Sequence, residues 1–228
     1  ASPFLTSIQE NAVKPIEPVF LDFKKDMSQL TAKSDIPVLY KQNTTNDLFQ
    51  LIYVFDMGNN NDKALGTAFD YLEYLGTSDM TPEELKSEFY RLACTFYVSP
   101  GNERTYVVLS GLNENMPAAI QLFEKLLADA QVNKEAYDNL VGDILKARAD
   151  AKLNQGQNFS RLMNYAMYGP KSPATNLLTE AELASMNPQE LVDRIHNQNN
   201  YIVSCIMVLA AAKTCWLPST NITRYRLL

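Results

Sequence analysis

At 228 residues, with 46% hydrophobic residues and only 8 glycines, the chain can bury a substantial core and is typical of a globular protein. Its net charge of −6 argues against nucleic acid or an anionic membrane surface as the main partner. The longest apolar stretch, 202–212, is interrupted by Ser204 and is too short to span a bilayer, so we expect no membrane insertion. The three cysteines, Cys94, Cys205 and Cys215, have no metal-like spacing and are too few for a disulfide framework.

The first part of the chain predicts strands followed by helices. Residues 1–20 are punctuated by prolines, and residues 1–35 are interpreted as a lead from an upstream segment, with strand-like residues at 19–23. Further strands are predicted at 38–40 and at 48–55, and the second is apolar on both faces, as in a central strand. A helix with Leu65, Phe69 and Leu72 at helical spacing follows.

The second part of the chain has clear start and stop signals. Thr81-Pro82-Glu83-Glu84 is a capping box, which predicts a helix to about residue 93. Strands at 96–98 and 105–110 flank a Ser-Pro-Gly-Asn turn and predict a hairpin. Helices are expected from about 115, over 134–153, over 158–168 and near 188–197, before a strand-like segment from Tyr201. This order predicts an α+β fold, a two-layer sandwich of one mainly antiparallel sheet with helices on one face.

Three basic residues follow one another along the long predicted helix. Lys146, Arg148 and Lys152 are spaced two and four residues apart, which gives a partly one-sided stripe. Such a stripe is usually a solvated face, and this is the interpretation we adopt from the sequence.

The most informative segment is 66–77, which reads GTAFDYLEYLGT, a short helix followed by a Gly-Thr pair. It resembles the zinc-binding helix of the inverted zincins, the pitrilysin/insulinase family of metallopeptidases. In that family H-x-x-E-H lies the same few residues before a Gly-Thr pair, with two His as zinc ligands and the Glu as general base. Aligned on the Gly-Thr pair, Thr67 takes the place of the first His, Asp70 that of the Glu and Tyr71 that of the second His.

The resemblance therefore implies a peptidase-like domain that has lost its catalytic chemistry. Zinc hydrolysis needs about three protein ligands, usually including imidazole. The chain has one histidine, His196, which we expect to be a solvated surface side chain. We predict no catalytic residue, no metal ligand and no cofactor.

Other family landmarks occur in the expected order between about residues 35 and 201. They include Asp56-Met57-Gly58 before the motif helix and Tyr168-Gly169-Pro170 after the long helices. Active members carry a third zinc ligand, a Glu, on the long helix some seventy residues after the second His. Asp143 lies at that position, but a single carboxylate opposite Thr67 and Tyr71 cannot replace two imidazoles.

Members of this family often carry two homologous halves, and this implies both a function and a division into domains for the present chain. One half holds zinc, and the other lines the peptide chamber without it. We expect residues 1–35 to be the lead, 36–201 the inactive peptidase-like domain and 202–228 a C-terminal tail. The implied partners are a catalytic half and a substrate peptide, with self-association through apolar surface that the missing half would cover. A cell-envelope location follows only from family habit.

The tail departs from the family pattern, which calls for an aromatic strand ending in Tyr-Gly-Pro. Back-translation with a shifted frame gives, from Tyr201 onward, YRVVYYGPSSGKDLLASINKYHTLPLV, under the constraint of the fixed codons for Met207 and Trp216. The hypothesis is that residues 202–228 come from a frameshift, and the alternative is an ordinary apolar C-terminal strand. The DNA of the gene decides between them, because an alternative frame that lacks this segment excludes the shift.

Two other functions remain open from the sequence. An enzyme of another kind would use Asp70, Glu73 and Asp143 with Tyr71 or Tyr74, since residues 70 and 73 lie one helical turn apart. A stand-alone structural subunit of a larger assembly, derived from the same family, would have a partner that is not a peptidase.

Overall fold

A computed structural model describes residues 2–10, 17–18, 20, 22–31, 36–172, 174–197 and 202–209. The strands are β1 (Ser28–Thr31), β2 (Pro37–Gln42), β3 (Leu48–Phe55), β4 (Cys94–Pro100), β5 (Thr105–Leu112) and β6 (Ile202–Leu209). The helices are α1 (Pro3–Glu10), α2 (Phe23–Asp26), α3 (Leu65–Leu72), α4 (Pro82–Arg91), α5 (Met116–Asp129), α6 (Lys134–Leu153), α7 (Gln155–Tyr168), α8 (Glu180–Ser185) and α9 (Pro188–Asn197).

The strands form one six-stranded sheet in the order β1-β2-β6-β3-β5-β4. Every neighbouring pair is antiparallel except β2 and β6, which are parallel. The predicted α+β class with a mainly antiparallel sheet is therefore confirmed. The sheet also extends past both predicted limits of the domain, 36 and 201, because β1 and β6 belong to it.

The core lies between one face of the sheet and the helices. Alternate residues of β3, from Phe49 to Phe55, are buried on that face, together with Val107 and Leu109 of β5. Helices α3, α5 and α9 cover them with buried apolar side chains, and α3 contacts α9 directly. The rings of Tyr53 and Phe123 lie 6.0 Å apart across this layer.

Most of the predicted elements occur where the sequence placed them. The hairpin, the helix after the capping box and the long helix are confirmed, and the helix predicted over 158–168 begins three residues earlier, at Gln155. The capping box forms in both directions, since the Thr81 hydroxyl accepts from Glu84 N and the Glu84 carboxylate accepts from Thr81 N. The strand-like segment from Tyr201 is confirmed as β6 for 202–209, and residues 210–228 lie outside the described part.

Strand β3 is confirmed as a central strand, since it lies between β6 and β5, although Leu48 and Gln50 near its start are exposed. Two expectations from the sequence are wrong. The strand-like stretch expected at 19–23 ends in a helix, α2, which starts at Phe23, while residues 19 and 21 lie outside the described ranges. His196 is half-buried near the end of α9 rather than fully solvated.

Candidate functional site

The motif helix α3 lies in the core, and the residue at the second metal-binding position is fully buried. The Tyr71 hydroxyl donates to the Asn133 carbonyl at 2.6 Å and accepts from Asn133 N at 2.9 Å. Asn133 in turn caps α6, since its side chain accepts from Ala136 N at 3.0 Å. Burial is the main cause that raises the pKa of the Tyr71 phenol, so it stays neutral at physiological pH. Tyr71 therefore joins the motif helix to the start of the long helix.

A second tyrosine extends this connection. The ring of Tyr137 meets the ring of Tyr71 edge-on, with centroids 5.7 Å apart, and its hydroxyl donates to the Leu183 carbonyl at 2.7 Å. Edge-on aromatic pairs contribute beyond the area they bury. The position that carries an imidazole in the zinc-binding motif is thus occupied by part of a tyrosine network linking α3, α6 and α8.

The remaining motif positions are more accessible. Thr67 is half-buried, whereas Asp70, Glu73 and Asp143 are exposed. Partial desolvation, and then the neighbouring Glu73 carboxylate, raise the pKa of Asp70. Within the described residues, no group of three or more His, Cys, Asp or Glu side chains is placed to hold a metal ion.

The Gly-Thr pair after the motif helix has a structural reason of its own. A Cβ on Gly76 would lie 2.3 Å from the Met80 carbonyl oxygen, so only glycine fits this turn. Thr77 N donates to the same carbonyl at 2.8 Å, and the Gly76 carbonyl accepts from Gln131 N at 3.0 Å. The pair closes a tight turn and ties it to the end of α5.

Beyond this turn, α4 leads to strand β4 at the edge of the sheet. Two backbone hydrogen bonds set the register of the β4–β5 ladder: Leu112 N donates to the Ala93 carbonyl at 3.3 Å, and Gly101 N donates to the Arg104 carbonyl at 2.9 Å. Bonded and non-bonded pairs alternate in an antiparallel ladder. The odd-numbered positions from 93 to 101 therefore bond to β5.

The even-numbered residues of β4 consequently direct their backbone groups away from the sheet. Cys94, Phe96 and Val98 each present an N–H and a C=O to the outer side, and no strand of the described chain pairs there. Pro100, which has no N–H, closes the strand. A free edge of this kind can accept an additional extended strand.

An open groove of about 570 Å³ runs beside this edge, between β4, α4 and the end of the motif helix. Its rim carries exposed aromatic side chains, of which Tyr90 is 88% exposed. Its floor is fixed to the core, because the rings of Phe89 and Phe96 lie 5.2 Å apart and Phe96 lies 5.0 Å from Phe123. Lys86 Nζ lies 5.7 Å from the centre of the Tyr74 ring. The groove is lined by Glu73, Tyr74, Leu75, Pro82, Leu85, Lys86, Phe89, Tyr90, Cys94, Thr95, Phe96 and Tyr97.

Sequence reasoning did not find this groove as a site. The sequence pattern marks Tyr74 only as a possible acid–base partner, and it does not mark Tyr90. The available sequence signal was the position of Tyr90 one residue after Phe89, on the side of α4 away from its apolar face. Assignment of β4 to an edge depends on the order of the strands in space, which the sequence pattern does not contain.

Comparison with known proteins identifies the fold. No family model and no curated protein matches the chain. Among solved structures, the periplasmic protease PqqL from Escherichia coli matches with a TM-score of 0.72 and 14% identity, over 100% of this chain and 28% of PqqL. A peptidase M16 inactive domain from Pseudomonas fluorescens matches with a TM-score of 0.70 and 14% identity, over 83% of this chain and 48% of that one. The ferredoxin protease FusC, solved with Arabidopsis ferredoxin, matches with a TM-score of 0.72 and 14% identity, over 96% of this chain and 26% of FusC.

These proteins belong to the pitrilysin/insulinase family, also called M16. The chain thus has the fold of a pitrilysin/insulinase peptidase domain, and the resemblance seen in the motif is confirmed at the level of the fold. It spans about half or less of the length of these solved proteins. No helix in the described ranges combines the length and the apolar character needed to cross a membrane.

Proposed function

We propose that this chain is a non-catalytic peptidase-like domain that binds an extended peptide along β4 beside a catalytic half. The free edge of β4 is the observation that carries the proposal. A peptide that adds to this edge forms main-chain hydrogen bonds with the outward N–H and C=O groups of Cys94, Phe96 and Val98. Such binding needs no reactive side chain at the site.

The contacts of the motif helix support a non-catalytic role. Thr67 and Tyr71 supply no imidazole, and the Tyr71 hydroxyl is held by both backbone groups of Asn133. A metal at this position would need ligands that these side chains do not provide. Asp70 and Glu73 are exposed, and the charged neighbour that raises the pKa of Asp70 is the Glu73 carboxylate, which is not a nucleophile–base arrangement.

The groove beside β4 supports a preference for apolar peptide side chains. Alternate side chains of an added strand point to the same face of the sheet, so those on the α4 side would meet the aromatic rim around Tyr90 and Tyr74. Aromatic side chains are typical of peptide-binding surfaces because they give a large contact area at a low entropic cost.

The catalytic half and the location are proposals that rest on the solved neighbours. The inactive M16 domain supports a partner that carries the zinc, on the same or a neighbouring polypeptide. PqqL is periplasmic, which supports a cell-envelope location. Without its partner, the chain is expected to self-associate through apolar surface.

The proposal predicts that the outward N–H of Val98 contributes to peptide binding. Val98→Pro removes this N–H without taking a hydrogen bond from the β4–β5 ladder, and proline is tolerated on edge strands. The probe is a fluorescein-labelled ten-residue peptide of alternating Val and Thr, with Lys at both ends, and its affinity is measured by fluorescence anisotropy. We expect a loss of about tenfold, which corresponds to one lost hydrogen bond of about 1.4 kcal/mol.

Val98→Ala is the matched control, because it trims the same side chain and keeps the N–H. Its affinity for the peptide should be within about threefold of the affinity of the parent protein, a difference of less than about 1 kcal/mol. Equal losses in the two variants would mean that the side chain and not the edge binds the peptide. Cleavage of the peptide by the purified chain would argue for the enzymatic alternative.

A further inference from the structure

The two edges of the sheet are protected to different degrees. Strand β1 has only four residues, and a short strand is one of the ways in which native proteins protect an edge. Strand β4 has seven residues, none of which is charged, and its one proline, Pro100, stands at its end. A long edge without charges or an internal proline lacks the usual protection against pairing with another chain. A second copy of this protein carries a segment of the same kind.

The outward backbone groups of β4 are symmetric about Phe96. Cys94 and Val98 each lie two residues from it, so the pattern of outward groups is the same in both directions. When two copies of β4 run antiparallel with Phe96 opposite Phe96, Cys94 of each copy lies opposite Val98 of the other. The residues in each of these three opposed pairs exchange two hydrogen bonds. Three pairs with two bonds each use every outward N–H and C=O of residues 94, 96 and 98 in both copies.

The side chains of β4 also suit this arrangement. Cys94, Phe96 and Val98 pack against the core, so Thr95 and Tyr97 point to the other face of the sheet. In the antiparallel pair, Thr95 of one copy lies directly opposite Tyr97 of the other, and symmetry gives this contact twice. Both side chains are exposed in the single chain, Tyr97 to 50%. Aromatic and β-branched residues are favourable cross-strand partners, so pairing of two copies would cover both.

Charge does not oppose contact between two copies at this edge. The groove beside β4 is lined by one carboxylate, Glu73, and one cation, Lys86, so neither sign is in excess there. Arg91 at the end of α4 is paired with Glu88 of the same helix. The net charge of −6 on each copy acts over longer distances, where salt at physiological concentration screens it. A second copy is therefore compatible with this edge in hydrogen bonding, side-chain contacts and charge.

We propose that two copies of this chain pair through their β4 edges and that the paired form cannot bind a peptide. In the pair, each copy occupies the edge along which the other would bind an extended segment. Pairing and peptide binding are therefore mutually exclusive, and the concentration of the chain controls how many edges are free. This regulation rests on the proposed function, because it concerns the same edge. It also assigns a surface to the self-association expected of the chain without its catalytic half.

The two-fold symmetry of the pair makes a quantitative prediction. Val98→Pro removes one outward N–H from each copy, and therefore two of the hydrogen bonds between them. The dissociation constant of the dimer should rise about 100-fold, which is the square of the tenfold loss expected for a peptide. Sedimentation velocity over a series of protein concentrations measures this constant for the parent and the variant.

Val98→Ala is again the matched control, because it keeps both N–H groups. Its dimer should dissociate with a constant within about tenfold of the parent value, since each copy contributes at most about threefold. Equal effects of the two substitutions, or a parent chain that stays monomeric throughout the concentration series, would overturn the proposal. Circular dichroism checks that both variants keep the fold of the parent.

A second experiment needs no variant. The unlabelled form of the Val–Thr peptide is added to the parent dimer, and sedimentation velocity follows the ratio of dimer to monomer. Saturating peptide should convert the dimer to a monomer with peptide bound, because one edge cannot hold both occupants. A dimer that persists at saturation is formed by another surface and contradicts the proposal.

The two proposals can fail separately. If the peptide does not bind but Val98→Pro still weakens the dimer about 100-fold, the pairing of β4 is supported and the error lies in the proposed function. If the peptide binds and the chain remains monomeric, the proposed function is supported and the pairing is wrong.

Discussion

Helices α3 and α7 have similar apolar spacing but opposite environments. Five of the eight residues of α3 are buried, and none of the fourteen residues of α7 is. In the inverted zincins the helix equivalent to α3 carries the chemistry, yet here it is a core element held by Tyr71. The comparison shows that a helix can resemble a catalytic motif without being accessible to a ligand. In this molecule the more exposed apolar side chains lie on α7 and not on α3.

The largest expected loss of stability comes from a substitution in α3. Tyr71→Ala removes a fully buried aromatic side chain and leaves both backbone groups of Asn133 without their partner, so we expect a loss of about 3–5 kcal/mol in the free energy of unfolding. Leu162→Ala removes a large apolar side chain from α7. It should change the free energy of unfolding by less than about 0.5 kcal/mol, because that side chain is already in solvent. Urea unfolding followed by circular dichroism measures both.

Tyr71→Phe separates packing from hydrogen bonding in the same experiment. It keeps the ring against Tyr137 and removes the hydroxyl, so the expected loss is about 1–3 kcal/mol. If Leu162→Ala proved as destabilising as Tyr71→Ala, the apolar side chains of α7 would be part of the folded core, and the contrast between the two helices would be lost.

The parts of this fold that the sequence predicts are those controlled by local signals, such as helix caps and turns. The capping box at Thr81, the Ser-Pro-Gly-Asn turn and the long helical periodicity act within a few residues, and each formed as expected. The sequence does not predict helix α8, although Thr179 and Glu182 form another capping box, because only six residues follow the cap and they carry a weak apolar pattern. Short helices depend on packing against their neighbours more than on their own propensity.

The rest of the fold and the sites depend on contacts between distant residues. Insertion of β6 between β2 and β3, with one parallel and one antiparallel neighbour, cannot be read from its apolar run. The free edge of β4 follows from that strand order. For α7 the periodicity correctly predicts a helix, but it also predicts a buried stripe, and only the three-dimensional arrangement shows that the stripe faces outward.

The comparison can be sharpened with charges, since one carboxylate is buried in the core while Lys146 and Lys152 of α6 are exposed. Glu124 of α5 is only 3% exposed, and desolvation by burial raises its pKa from the ordinary value of 4.5 to about 7. The folded state therefore holds this proton more tightly than the unfolded state. The contribution of Glu124 to the free energy of unfolding is therefore fully present below pH 4.5 and is lost as the pH rises from 4.5 to 7, by about 3 kcal/mol in all.

Glu124→Gln removes this titration and keeps the size of the side chain. The parent should lose about 3 kcal/mol more stability than the Gln variant between pH 4.5 and pH 8, as measured by urea unfolding at a series of pH values. The carboxyls whose pKa values are lowered, such as those of Asp79 and Asp129, titrate below this window and are the same in both proteins. Parallel profiles for parent and variant would mean that Glu124 is solvated in the folded protein. Because Lys146 and Lys152 of α6 are exposed, Lys146→Gln and Lys152→Gln should leave this profile unchanged, which would show that the titration belongs to the carboxylate in the core.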